Sequence, residues 1–132
     1  MTAEAIRGPA RILIVDDEPV NRQLLEMMLA PEGYVLDSVA SGEEALAFVA
    51  RSATDLILLD VMMPGMDGYF VAQRIKSNAA SKHISIIMVS ALHDRGAWMR
   101  AMSAGAEDFL TKPVDRGELC AHVADLLRAK KV

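Results

Sequence analysis

Five short apolar runs punctuate the chain: RILIVD (11–16), YVLDSVA (34–40), DLILLD (55–60), ISIIMVS (84–90) and EDFLTK (107–112). The third and fourth are nearly unbroken rows of Leu, Ile, Met and Val, the pattern of strands covered on both faces. The second alternates and reads as a weaker strand. Helical signals fill the gaps. Pro19 suits a first helical turn, and Leu24, Leu25 and Met28 recur on one face up to a stop at Gly33. Ser41 and Glu44 form a capping box ahead of EALAFVA. Asp67 is an N-cap for a helix reaching Lys76, with Phe70, Val71 and Ile75 along it. A helix from Asp94 to Ala104 ends at Gly105, a C′ glycine. Asp115 and Glu118 form a second capping box before Leu119, Val123, Leu126 and Leu127. Strand and helix alternate five times. This predicts an α/β fold: a doubly wound (βα)5 three-layer sandwich around a five-stranded parallel sheet, joined by right-handed crossovers.

Length and charge narrow the picture. The 132 residues suffice for one domain, read here as residues 11–130 behind an N-terminal extension, 1–10. With 52% apolar and 24% charged residues the chain is globular. A net charge of -4 without a strong basic run excludes non-specific nucleic-acid binding by this chain. The final RAKKV reads as a solvated helix tail. The single cysteine, Cys120, excludes an internal disulfide, points to a reducing compartment and reads as a packed thiol. MTAEAIRGPA lacks the apolar core of a signal peptide, and no run approaches the roughly 20 apolar residues of a membrane span, so the expected location is cytoplasmic, with no membrane partner. The nine methionines read as gap-filling core. His83 and His122 read as surface or helix-face residues. His93, after the fourth strand, lies closer to the strand ends but has no second metal-ligand partner in the pattern.

Polar groups fall where each strand stops: Asp16-Asp17-Glu18, Asp60, Ser90 and Thr111-Lys112-Pro113. In an open parallel sheet that carboxyl edge is where ligands bind, at the switch point of strand order. The blocks ILIVDDEP, LILLDVMMPGMDG, IIMVSA and FLTKP, in this order and spacing, resemble the signature of the two-component response-regulator receiver domain, of the chemotaxis-regulator-like, flavodoxin-like type. The resemblance spans about residues 11 to 128.

The chemistry of the residues agrees with it. Clustered carboxylates repel one another unless a cation joins them, and hard oxygen ligands suit Mg²⁺. The resemblance implies Asp60 as phosphoacceptor nucleophile. It implies Mg²⁺, with Mn²⁺ able to substitute, held by Asp17, Asp60 and the backbone carbonyl of Met62, with Asp16 acting through a bound water. Lys112 and Ser90 would meet phosphoryl oxygens. The family's Lys-Pro peptide is typically cis, which would aim Lys112 at the site; read from the residues alone, Lys112-Pro113 is a turn. Ser90 and Phe109 would be the switch pair, Phe109 turning inward on activation or remaining packed throughout. Trp98, Met102 and Phe109 would lie on the partner face. The pattern alone instead puts Trp98 at the edge of the core. The implied partners are a sensor histidine kinase or phosphotransfer protein and a downstream effector protein or domain, with a phosphorylation-dependent homodimer as a further expectation.

Two other functions fit parts of the pattern. An aspartate-nucleophile phosphohydrolase also ends an apolar strand in Asp and uses Mg²⁺, but it needs a second Asp two residues on, where this chain has Met62. A degenerate receiver kept as a scaffold would have no need of the full set of Asp16, Asp17, Asp60, Ser90 and Lys112. A dinucleotide-binding domain fails for want of a glycine-rich loop after the first strand. The expected protein is a signalling module, not a turnover enzyme, catalysing only its own phosphorylation and slow dephosphorylation. The stretch SALHDRGAWMRAMSAGAEDFLTKP resembles receivers attached to cyclic-di-GMP enzymes more than those of transcription factors.

Overall fold

The computed structural model describes residues 8–92 and 94–130. His93, most of the expected N-terminal extension and the last two residues of the basic tail lie outside the described residues. Five strands, β1 (Arg11–Val15), β2 (Val35–Val39), β3 (Leu56–Asp60), β4 (Ser85–Ser90) and β5 (Asp108–Thr111), alternate with five helices. These are α1 (Pro19–Leu29), α2 (Gly42–Arg51), α3 (Gly68–Ser77), α4 (Arg95–Ser103) and α5 (Arg116–Ala129). All strand pairs are parallel, in the order β2-β1-β3-β4-β5. This is the expected doubly wound, flavodoxin-like sheet.

The unbroken apolar runs are used on both faces. Leu13, Val15, Ile57, Leu59, Ile86 and Met88 pack under α2, α3 and α4. Their neighbours Ile12, Ile14, Leu56, Leu58, Ile87 and Val89 pack under α1 and α5. Every residue of β3 and β4 is buried, because each has a strand on either side and helices above and below. β2 is an edge, and its exposed Asp37 and Ser38 blunt it against pairing with another chain.

The helix boundaries follow the expected caps. Ser41 accepts from the Glu44 amide, while the Glu44 carboxylate reaches the Ala40 amide. Asp67, Asp94 and Asp115 cap α3, α4 and α5. Gly105, at φ 102°, closes α4 with two reversed bonds, Gly105 N–H to Met102 and Ala106 N–H to Ala101. Three expectations need correction. The inner face of α1 is Leu25 and Leu29 rather than Leu24, which is 45% exposed. Phe70 faces outward with Arg74 over its ring, and Tyr69 takes the inner place on α3. α1 ends at Leu29 and passes through a 3₁₀ turn, Ala30–Glu32, before Gly33. The Cys120 thiol is half-buried and raised in pKa by burial, consistent with a packed group. No helix among the described residues is long and apolar enough to cross a membrane.

Candidate functional site

The strand order reverses between β1 and β3, so the residues leaving those two strands stand side by side. Val15 pairs with Leu59, which brings Asp16 and Asp17 next to Asp60. Carboxylate oxygens of Asp16, Asp17 and Asp60 all lie within 4.8 Å of one another. Lys112 reaches in from the end of β5 and donates to Asp16 Oδ2 at 3.1 Å and Asp60 Oδ1 at 3.3 Å. The Lys112-Pro113 peptide is cis. The end of β5 is tied to β4 by the Lys112 N–H to Ser90 carbonyl bond, 2.8 Å.

Each acid has a different setting. Asp16 is buried, with one oxygen held by the Glu18 amide at 2.9 Å and the other by Lys112. Asp17 is half-exposed at the mouth. Asp60 is 5% exposed and accepts from Lys112 and, at 3.4 Å, from the Met62 amide. Burial pushes the Asp60 carboxyl up and the Asp16 charge adds to the rise; Lys112 and the Met62 amide oppose it, leaving a value of about 6. Burial also works against the Lys112 ammonium, but the Asp60 and Asp16 carboxylates outweigh it and hold its pKa above the ordinary lysine value. Three acidic side chains face one lysine, an excess of acidic groups at one sheet edge. A cluster of hard oxygen donors with surplus negative charge fits a divalent cation such as Mg²⁺.

The remaining expected residues make other contacts. The Ser90 hydroxyl is fully buried and accepts from the Leu92 amide of its own loop, 3.0 Å. Met62 and Leu92 are exposed on the loops after β3 and β4. Phe109 and Met102 are half-buried against the α4 side of the core. Trp98 is 50% exposed on α4.

The structure also brings in residues that the pattern of strand ends does not mark. Arg22 on α1 donates to the Asp16 carbonyl at 2.7 Å and so braces the β1–α1 turn. Gly68 opens α3 directly against the backbone of Asp60: a Cβ there would lie 2.4 Å from the Asp60 carbonyl oxygen. The Asp67-Gly68 pair is visible in the sequence as a turn signal, but the close approach is a tertiary fact. Arg22 leaves no sequence signal.

Comparison with known proteins agrees with this geometry. Residues 12–124 match the family model of the response regulator receiver domain, and the chain belongs to that family. It is 46% identical over 123 residues to the response regulator PleD of Caulobacter vibrioides, covering 93% of this chain and 27% of that protein. It is 41% identical over 118 residues to a probable transcriptional regulator, ycf27, of Cyanophora paradoxa, covering 89% of this chain and 48% of that one. The chain therefore spans about a quarter to a half of these relatives. Among solved structures, a putative response regulator from Chloroflexus aurantiacus superposes with a TM-score of 0.88 at 36% identity, covering 92% of this chain and 99% of that one.

Proposed function

We propose that Asp60 accepts a phosphoryl group from a phosphohistidine donor and that the acyl phosphate switches a partner-binding face. The observation that carries this is the Asp60 carboxylate, at the sheet's carboxyl edge, gathered with Asp16, Asp17 and Lys112. An Asp60 oxygen attacks phosphorus as the phosphorus–nitrogen bond breaks, and the electron pair leaves with the donor imidazole, which takes up a proton. Asp17, Asp60 and the Met62 carbonyl, with Asp16 through water, would hold Mg²⁺, which when bound supplies positive charge against the phosphoryl oxygens. Lys112 pairs with one phosphoryl oxygen. Ser90 releases the Leu92 amide to meet another, and Phe109 follows into the space behind it. The receiver unit is residues 11–130.

The donor docks along α1. Val20, Leu24 and Met27 form an exposed apolar stripe that starts in the turn after Asp17 and Glu18, where a helix carrying the phosphohistidine would lie. The output face centres on α4 and β5, with Trp98, Met102 and Phe109, and serves an effector or a second copy of the chain.

Incubation with acetyl phosphate and Mg²⁺ should add one phosphoryl mass to the protein, and Asp60→Asn should abolish the addition. Equal labelling of that variant overturns the assignment.

A further inference from the structure

We propose that Tyr69 ties the position of α4 to the backbone of Asp60, along a route separate from Ser90 and Phe109; the signalling meaning of this link rests on Asp60 being the acceptor. The route starts at Gly68. Its lack of a side chain lets the first turn of α3 sit against the Asp60 carbonyl, and its N–H donates to the Val61 carbonyl at 2.9 Å. The first turn of α3 therefore cannot move without the chain that carries Asp60.

Tyr69 follows at once and points the other way, into α4. It is 6% exposed. Its hydroxyl donates to the Ala97 carbonyl at 3.4 Å, and the Arg100 guanidinium lies over its ring, 4.1 Å from the centroid. Burial raises the Tyr69 pKa, with Asp67 and Asp94 adding and Arg100 opposing, so the hydroxyl stays a donor.

α4 is otherwise held by small residues, by Met102 and by its contact with β5. Its fully buried residues are Ala97 and Ala101, with Ala104 just past its end, whose methyl groups bury little surface and interlock weakly. Two of its large residues, Trp98 and Met99, face out, while Met102 is half-buried against the core. A helix whose fully buried face is alanine takes part of its position from the Tyr69 ring that bonds and packs against it. Packed contacts of this kind shift between discrete arrangements rather than bending smoothly. A change at Asp60 that moves the β3–α3 turn therefore reaches α4 through Tyr69.

Backbone hydrogen exchange of α4 tests this in the unphosphorylated protein. Asp60→Asn removes the buried charge and should change α4 exchange several-fold in the wild-type background. The change should be lost with Tyr69→Leu and largely kept with Tyr69→Phe, which preserves the ring. Arg100→Met should reduce it, and provides the test if Tyr69→Leu does not fold. An Asp60→Asn effect of the same size in the Tyr69→Leu and Arg100→Met backgrounds, or no effect in the wild type, overturns the proposal. A second readout separates it from the acceptor assignment. Beryllium fluoride with Mg²⁺ should shift Trp98 emission in the wild type but not in Tyr69→Leu, while acetyl phosphate still labels both. Failure to label the wild type overturns the acceptor reading alone, because the exchange experiment decides Tyr69 without phosphate.

Discussion

Asp60 carries its charge against both burial and Asp16, and this makes the site a stability liability in the absence of metal. The folded protein holds the Asp60 proton up to about pH 6, against 3.8 for the free side chain. Between those values the native state binds more protons than the unfolded chain, so stability falls as pH rises from about 4 to about 6 and is level above. The full difference corresponds to about 3 kcal/mol. Asp60→Asn should remove that slope and stabilise the metal-free protein at neutral pH by up to about 3 kcal/mol. Denaturant melts in EDTA at about pH 4 and about pH 7.5 check this; a variant that gains no more at the higher pH contradicts it. Mg²⁺, binding only the folded state, should raise the melting temperature of the wild type and much less that of the variant. His122 shows the opposite case. Its bond to Asp108 raises the imidazole pKa most, burial opposes, and Glu118 and Asp125 add to the rise. Its contribution is present below about pH 6.5 and is lost as pH climbs through the raised value. An NMR titration should place His122 above a free histidine, and Asp108→Asn should bring it back.

Among the elements, two glycines one helix apart should respond in opposite directions to the same substitution. At Gly68 a methyl would meet the Asp60 carbonyl at 2.4 Å and Val61 Cα at 2.8 Å, both backbone atoms that cannot step aside. Gly68→Ala should cost about 1–3 kcal/mol or more and, on the proposed function, reduce phosphoryl labelling, because relief comes only by moving β3 with Asp60 or α3. At Gly96, in the first turn of α4, the nearest atom is an Asp94 carboxylate oxygen at 3.4 Å, an ordinary contact. Gly96→Ala should gain about 0.5–1 kcal/mol from helix propensity. Thermal melts of the two variants decide the signs. The contrast also marks what the sequence could carry. Both glycines are plain in it, as are the strands, whose unbroken apolar runs can only be buried on both faces, and the caps, which are local. The four charged members of the site are legible because each ends a strand. What the period of a helix does not carry is which apolar residue at the edge of the stripe turns inward: on α1 it is Leu25 and Leu29 against α5 and the sheet rather than Leu24, and on α3 it is Tyr69 against α4 rather than Phe70, because the neighbouring helix decides it. Arg22 and the close approach of Gly68 depend on contacts between elements and have no local signature.

At the scale of the whole molecule, the sheet separates where a phosphoryl group would arrive from where the message would leave. α1 packs with α5 on one face and α4 with α2 and α3 on the other. Phe70 lies on α3, and Met62 and Leu92 on the loops at the carboxyl edge, but most of the exposed apolar residues follow this division, Val20, Leu24 and Met27 on α1 and Trp98 and Met99 on α4. Between them stands the carboxyl edge with the acids, which a small donor reaches without touching either patch. Three behaviours should therefore come apart. Met27→Glu places a charge in the α1 stripe; it should slow transfer from a phosphohistidine protein while leaving acetyl phosphate labelling unchanged. Trp98→Ala should leave both routes of phosphorylation intact and weaken partner binding or self-association of the activated form, since an exposed tryptophan at the centre of an interface commonly carries much of its energy. Transfer assays and sedimentation of the beryllium fluoride form, run on both variants, measure the separation. If Met27→Glu slows labelling by acetyl phosphate as much as by the protein donor, the stripe supports the site rather than docking a donor. If Trp98→Ala leaves association untouched, the α4 patch is a structural surface, and the output must leave from another part of the fold.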